Sequence, residues 1–157
     1  MVDEMKRRQW IASLLAFPLI ERALAAREAP QDPWPPDRLM EPAALAKLLG
    51  HPAKKPLVIS VVFPVLYRQK HIAGAKFAGP TSKPEGISAL KKTVSPLPKN
   101  ALIVLYCGCC PMEHCPNIRP AFETLAQLGY TNVRVLNLRS NFRTDWQDKG
   151  YPVEPRS

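Results

Sequence analysis

The chain has 157 residues, a net charge of +9 and an ordinary apolar share of 46%. That length suits one domain with its own core. The positive balance favours anionic ligands in general, but the basic residues are scattered and no Lys/Arg block is interleaved with aromatics, so nucleic acid is not an expected partner.

The amino terminus has the order of an export signal. Lys6, Arg7 and Arg8 precede the uncharged apolar run Ile11–Ile20, and Ala23-Leu24-Ala25 offers small residues at the spacing of a cleavage site. The apolar run is short for a bilayer span. Arg7-Arg8-Gln9-Trp10-Ile11 resembles the twin-arginine pattern. Residues 1–25 are therefore expected to be a signal peptide. Location is then periplasmic or otherwise exported, with membrane contact only through that signal. Residues 26–37 contain Pro30, Pro33, Pro35 and Pro36 and are expected to form an extended linker.

From residue 38 to 154 strands alternate with helices. Pro42 suits a first helical turn, Leu45, Leu48 and Leu49 give the apolar stripe, and Gly50 the stop. Leu57 to Val62 is apolar on both faces and reads as a central strand. His71-Ile72-Ala73-Gly74-Ala75 turns into a short strand near Lys76-Phe77, with His71 expected to pack its own turn. Ile87, Leu90 and Val94 sit at helical spacing. Ala101 to Tyr106 is the most apolar strand. A helix is expected from Pro120 to Leu128, closed by Gly129, then a strand from Val133 to Leu138. Phe142 and Trp146 are expected to pack inward from an irregular end. The class is α/β with a mostly parallel sheet.

All four cysteines fall between that most apolar strand and the following helix. In open α/β sheets ligands bind at this junction. The loop runs Cys107, Gly108, Cys109, Cys110, Pro111, Met112, Glu113, His114, Cys115, Pro116, Asn117, and Arg119 follows. Loop N–H groups and a helix start stabilise a thiolate there without a histidine base. Cys107 directly follows the strand, so its backbone is anchored, as a nucleophile requires. Arg119 is expected to steady an anionic donor. Pro111 and Pro116 bracket a short segment, and a Cys110–Cys115 disulfide is expected in an oxidising compartment. The alternative is zinc or another soft metal on Cys109, Cys110, His114 and Cys115; otherwise no cofactor is expected.

These features together resemble a single rhodanese-like domain over residues 38–154. The match rests on the strand Ala101–Tyr106 ending in Cys107, on His71-Ile72-Ala73-Gly74-Ala75, and on Gly129-Tyr130-Thr131-Asn132-Val133 with Trp146 and Gly150-Tyr151-Pro152-Val153. The resemblance implies a five-stranded, mostly parallel sheet with helices on both faces. It implies a sulfurtransferase that moves sulfane sulfur from a small anionic donor such as thiosulfate, through a Cys107 persulfide, to a thiol or other thiophilic acceptor. Ser60 and Val62 stand where the family has Asp and Arg, Lys70 where it has Gly, and twelve positions separate Cys107 from Arg119 in place of a short cradle. The rival reading is a non-catalytic module of this fold, whose cysteine-rich loop binds a soft metal or a partner or exchanges thiols and disulfides.

Overall fold

The computed structural model describes residues 34–155. The expected export signal lies outside the described residues. In chain order the elements are β1 (Leu39–Met40), α1 (Pro42–Leu49), β2 (Leu57–Ser60), α2 (Pro64–Gln69), β3 (Lys70–Ile72), β4 (Lys76–Phe77), α3 (Pro84–Val94), β5 (Ile103–Tyr106), α4 (Ile118–Gln127), β6 (Val133–Leu136) and β7 (Val153–Pro155). A 3₁₀ turn at Met112–His114 and a π-turn at Arg143–Gln147 interrupt the loops.

Five strands form one sheet in the order β1-β6-β5-β2-β4, and every pair in it is parallel. Parallel strands need covering on both faces, which is why β2 and β5 read as unbroken apolar runs. Side chains alternate across the sheet with period two. Ile59, Ile103, Leu105, Val133 and Val135 pack against Leu90 and Val94 of α3 and Ile118, Ala121 and Leu125 of α4. Val58, Val104, Tyr106 and Leu136 face the other way, onto Leu45 of α1 and onto Phe142 and Trp146. Burying each large apolar side chain in these layers contributes about 1.5–3 kcal/mol. The α/β class, the sheet and the helices on both faces are those the sequence leads one to expect.

Differences are local. The strand expected to run to Val62 ends at Ser60, because Phe63-Pro64 opens α2, with proline at the first helical turn where its missing N–H costs nothing. A second, two-stranded sheet pairs β3 with β7 antiparallel. His71 is buried in that joint. Its ring stacks on Tyr67 at 4.0 Å, its Nδ1 lies 3.0 Å from the Tyr67 carbonyl, and its Nε2 lies 3.6 Å from Glu154. The expected linker is also partly folded: Pro36–Arg38 forms a 3₁₀ turn, and Trp34 is buried edge-on against Phe122 at 5.1 Å. An indole of that size gains more from the α4 face than from solvent.

One close approach matters for the site. A Cβ on Gly86 would lie 2.2 Å from the Pro80 carbonyl oxygen. Glycine there lets the first turn of α3 sit on the Pro80–Ser82 segment and press it towards the cysteine loop.

Candidate active site

The loop after β5 is built around a left-handed turn. Gly108 has φ +83°, and a Cβ there would meet Phe142 Cβ at 2.6 Å. Its carbonyl accepts the Phe142 N–H at 3.0 Å. Further on, the Met112 N–H donates to the Leu138 carbonyl at 3.0 Å and the Met112 side chain is buried. These two ties fold the loop back over the carboxyl end of the sheet, so its cysteines converge.

The sulfurs of Cys107, Cys109 and Cys115 all lie within 4.8 Å of one another. Cys107 Sγ is 3.2 Å from Cys109 Sγ, and Cys109 Sγ is 3.3 Å from Cys110 Sγ. Cys107 and Cys115 are 3% and 5% exposed, whereas Cys109 is exposed to solvent. Burial therefore separates an inner pair from an outer one.

The helix start supplies the charge-stabilising groups. α4 begins at Ile118, two residues before the expected start, because Pro120 sits in the first turn, where no N–H is needed. Asn117 becomes the residue before the helix. The thiol of Cys107 donates to Cys115, and the backbone N–H groups of Asn117 and Ile118 also donate to it, so Cys115 is pulled down to about 6. Cys107 is pushed up, first by holding the proton it donates to Cys115 and then by burial. One proton is thus shared by a buried sulfur pair, and the helix-start N–H groups favour charge on the Cys115 side of it. Cys110 is raised to about 12, mainly by burial.

Asn117 completes the arrangement. It is wholly buried, and its Nδ2 points at Cys107 Sγ from 3.6 Å. Its orientation is fixed by the Ser82 N–H, which donates to Oδ1 at 3.1 Å, while the Thr81 hydroxyl donates to the Asn117 carbonyl. The segment pressed forward by Gly86 therefore aims a donor at the Cys107 sulfur. A cavity of about 630 Å³ opens beside it, lined by Cys107, Gly108, Lys70, Arg143 and Val62 among others.

The structure gathers Cys107, Cys109 and Cys115 and adds Cys110 at the outer edge. All four are free thiols here, and Cys115 meets both Cys107 and Cys110, so the two sulfurs of the expected Cys110–Cys115 disulfide lie in contact without a bond between them. His114 and Glu113 are exposed, and His114 is not in the sulfur cluster, so the ligand set expected for a soft metal is replaced by three sulfurs among the described residues. The Arg119 guanidinium lies over the Trp34 ring at 4.6 Å. Lys70, noted in the sequence only as a departure from the family pattern, and Arg143, which sequence reading did not single out, supply the cations that line the cavity. The clamping of Asn117 was equally hidden, because its partners lie about one helix earlier in the chain.

A family model described as Rhodanese-like domain matches residues 41–138. Among solved structures, the BH2092 protein from Bacillus halodurans is similar with a TM-score of 0.59 and 22% identity, over 76% of this chain and 77% of that one. The rhodanese-like domain of the Alr3790 protein from Anabaena sp. is similar with a TM-score of 0.53 and 22% identity, over 75% and 79%. A structure of EanB, described as holding a cysteine persulfide in a tetrahedral intermediate state with ergothioneine, has a TM-score of 0.56 and 23% identity, over 74% of this chain but 28% of that one. No curated protein matches.

Proposed function

The chain belongs to the rhodanese-like domain family, and on that premise we propose that it is an exported sulfurtransferase that takes sulfane sulfur onto Cys107. The observation that carries this reading is the buried pair: Cys107 lines the cavity, and the Cys115 sulfur lies within 4.8 Å of it, placed to take its proton. In rhodanese-like chemistry a thiolate must attack the outer sulfur of the donor. Here Cys115 accepts the Cys107 proton as the new bond forms. The Cys107 sulfur attacks the outer sulfur of thiosulfate, the sulfur–sulfur bond of the donor breaks, and sulfite leaves with the electron pair. The Asn117 amide and the Cys109 N–H, both donating to Cys107 Sγ, stabilise the charge that develops there.

Lys70 and Arg143 line the cavity together with Asp148, which lies 3.8 Å from Arg143; the balance stays positive and favours a small anionic donor, and added salt should slow its capture. The acceptor is a thiol or another thiophile that reaches the same mouth. Export follows from the paired arginines and apolar run of residues 1–25. The test is sulfite release: reduced protein mixed with thiosulfate should release one sulfite per chain. Cys107→Ser should release none, and Cys109→Ser should only slow the release. Undiminished sulfite from Cys107→Ser protein would overturn the assignment.

A second reading has one observation of its own. Three sulfurs within 4.8 Å form a donor set suited to a thiophilic metal ion. Metal bound to protein purified without chelator, together with no sulfite release by the reduced form, would favour that reading.

A further inference from the structure

The pair Cys107–Cys115 has a property that sulfur acceptance alone does not use. Once Cys107 carries the extra sulfur, that sulfur is held on a residue only 3% exposed beneath the loop, and the group already in contact with Cys107 is another cysteine. An external acceptor must enter through the cavity. Cys115 needs no entry, since its sulfur lies within 4.8 Å of Cys107 Sγ in the resting protein. Held groups of this kind react far faster than free ones at ordinary concentrations.

We propose that Cys115 resolves the Cys107 persulfide, so that the domain reduces sulfane sulfur to hydrosulfide while closing a Cys107–Cys115 disulfide. This rests on Cys107 being the sulfur acceptor. Cys115, protonated when Cys107 attacked the donor, returns its proton to the outer sulfur of the persulfide. The Cys115 thiolate then attacks Cys107 Sγ. A Cys107–Cys115 bond forms, the bond from Cys107 Sγ to the outer sulfur breaks, and that sulfur leaves as hydrosulfide with the electron pair. Each cysteine sulfur loses one electron and the sulfane sulfur gains two. A second turnover consumes a dithiol, which reopens the disulfide.

Two features separate Cys115 from the other candidate, Cys109. Attack needs a thiolate, and the best attacking thiol ionises near the ambient pH. Cys115 is buried against Cys107 and receives the N–H groups of Asn117 and Ile118 at the start of α4, which favour its thiolate. Cys109 lies 3.2 Å from Cys107 but is exposed to solvent and only two positions away in sequence, where a closed ring is tight. Cys110 lies at the outer edge and is not among the three sulfurs gathered within 4.8 Å of one another.

The experiment is a single turnover of the full chain, reduced and freed of reductant under anaerobic conditions, with excess thiosulfate. Sulfite and hydrosulfide are measured together, and the acid-quenched protein is weighed and mapped. The expected wild-type result is one sulfite and one hydrosulfide per chain, a protein lighter by two hydrogens, and a Cys107–Cys115 cross-link. Cys115→Ser, left long enough at alkaline pH to offset its slower uptake, should release sulfite without hydrosulfide and end one sulfur atom heavier at Cys107. Cys109→Ser should still release hydrosulfide. A wild-type protein that releases sulfite yet keeps the extra sulfur overturns the resolving role, as does a Cys107–Cys109 cross-link. Absence of sulfite from every form overturns instead the sulfur-acceptor reading beneath it.

Discussion

Replacing Asn117 by aspartate tests whether the buried amide stabilises a charged Cys107 sulfur. The change is nearly isosteric, and Oδ1 keeps the Ser82 N–H at 3.1 Å, so the loop should stay in place. What changes is the atom 3.6 Å from Cys107 Sγ, from an N–H donor to a carboxylate oxygen. With an effective dielectric constant of about 20, two unit charges at that separation repel by about 4–5 kcal/mol. At about 1.4 kcal/mol per factor of ten, that is an upper bound of roughly 10³-fold on the rate of sulfite release. Protonation of the carboxyl lowers the effect. Asn117→Ala removes the donor without adding charge; losing a hydrogen bond to a charged group costs about 1.5–3 kcal/mol, roughly ten- to a hundredfold in rate. The assay is the sulfite burst at pH 8, with circular dichroism to establish folding. The expected order is wild type, then Asn117→Ala, then Asn117→Asp. Folded Asn117→Asp protein with the wild-type rate would refute the role of the amide.

The remaining expectations concern the loop, the proton and the amino terminus. Gly108→Ala should lower the melting temperature, since φ +83° strains any other residue by about 1–3 kcal/mol and the new Cβ meets Phe142 at 2.6 Å; an unchanged melting curve would contradict the turn described. Sulfite release should rise with pH through about 6, where Cys115 ionises, and Cys115→Ser should lose that inflection. Stability should follow the same groups. The contribution of the depressed Cys115 is lost as pH falls through about 6, and that of the raised Cys107 as pH rises above the ordinary thiol range, where the unfolded chain ionises and the folded one does not. Arg7→Lys with Arg8→Lys should strand the precursor in the cytoplasm, whereas a soluble cytoplasmic wild type beginning at Met1 would contradict export.

The centre of the fold was legible because burial on both faces leaves a mark in sequence. β2 and β5 are apolar runs, and the stripes of α1 and α3 follow helical spacing. What was missed depends on pairing at a distance or on exposure. α2 carries Val65 and Leu66 exposed, with Phe63 exposed just before it, so no stripe announced it. β3 and β7 find each other across the domain, with His71 opposite Glu154. At the site, the junction of strand, cysteine and helix could be read directly, and it led to Cys107. The sharing of a proton with Cys115 could not, because it depends on how a left-handed turn at Gly108 folds the loop. Pro120 misplaced the helix start by two residues, and with it the donors that face Cys115. The role of Asn117 depends on Ser82, 35 positions away.

The central claim is that sulfane sulfur enters at Cys107. Its most direct measurement uses thiosulfate with labelled outer sulfur, a rapid alkylating quench, and mapping of the label among the four cysteines. The account predicts label on Cys107 at the earliest times, and on none of the others before it. Label appearing first on Cys109, Cys110 or Cys115 would contradict it.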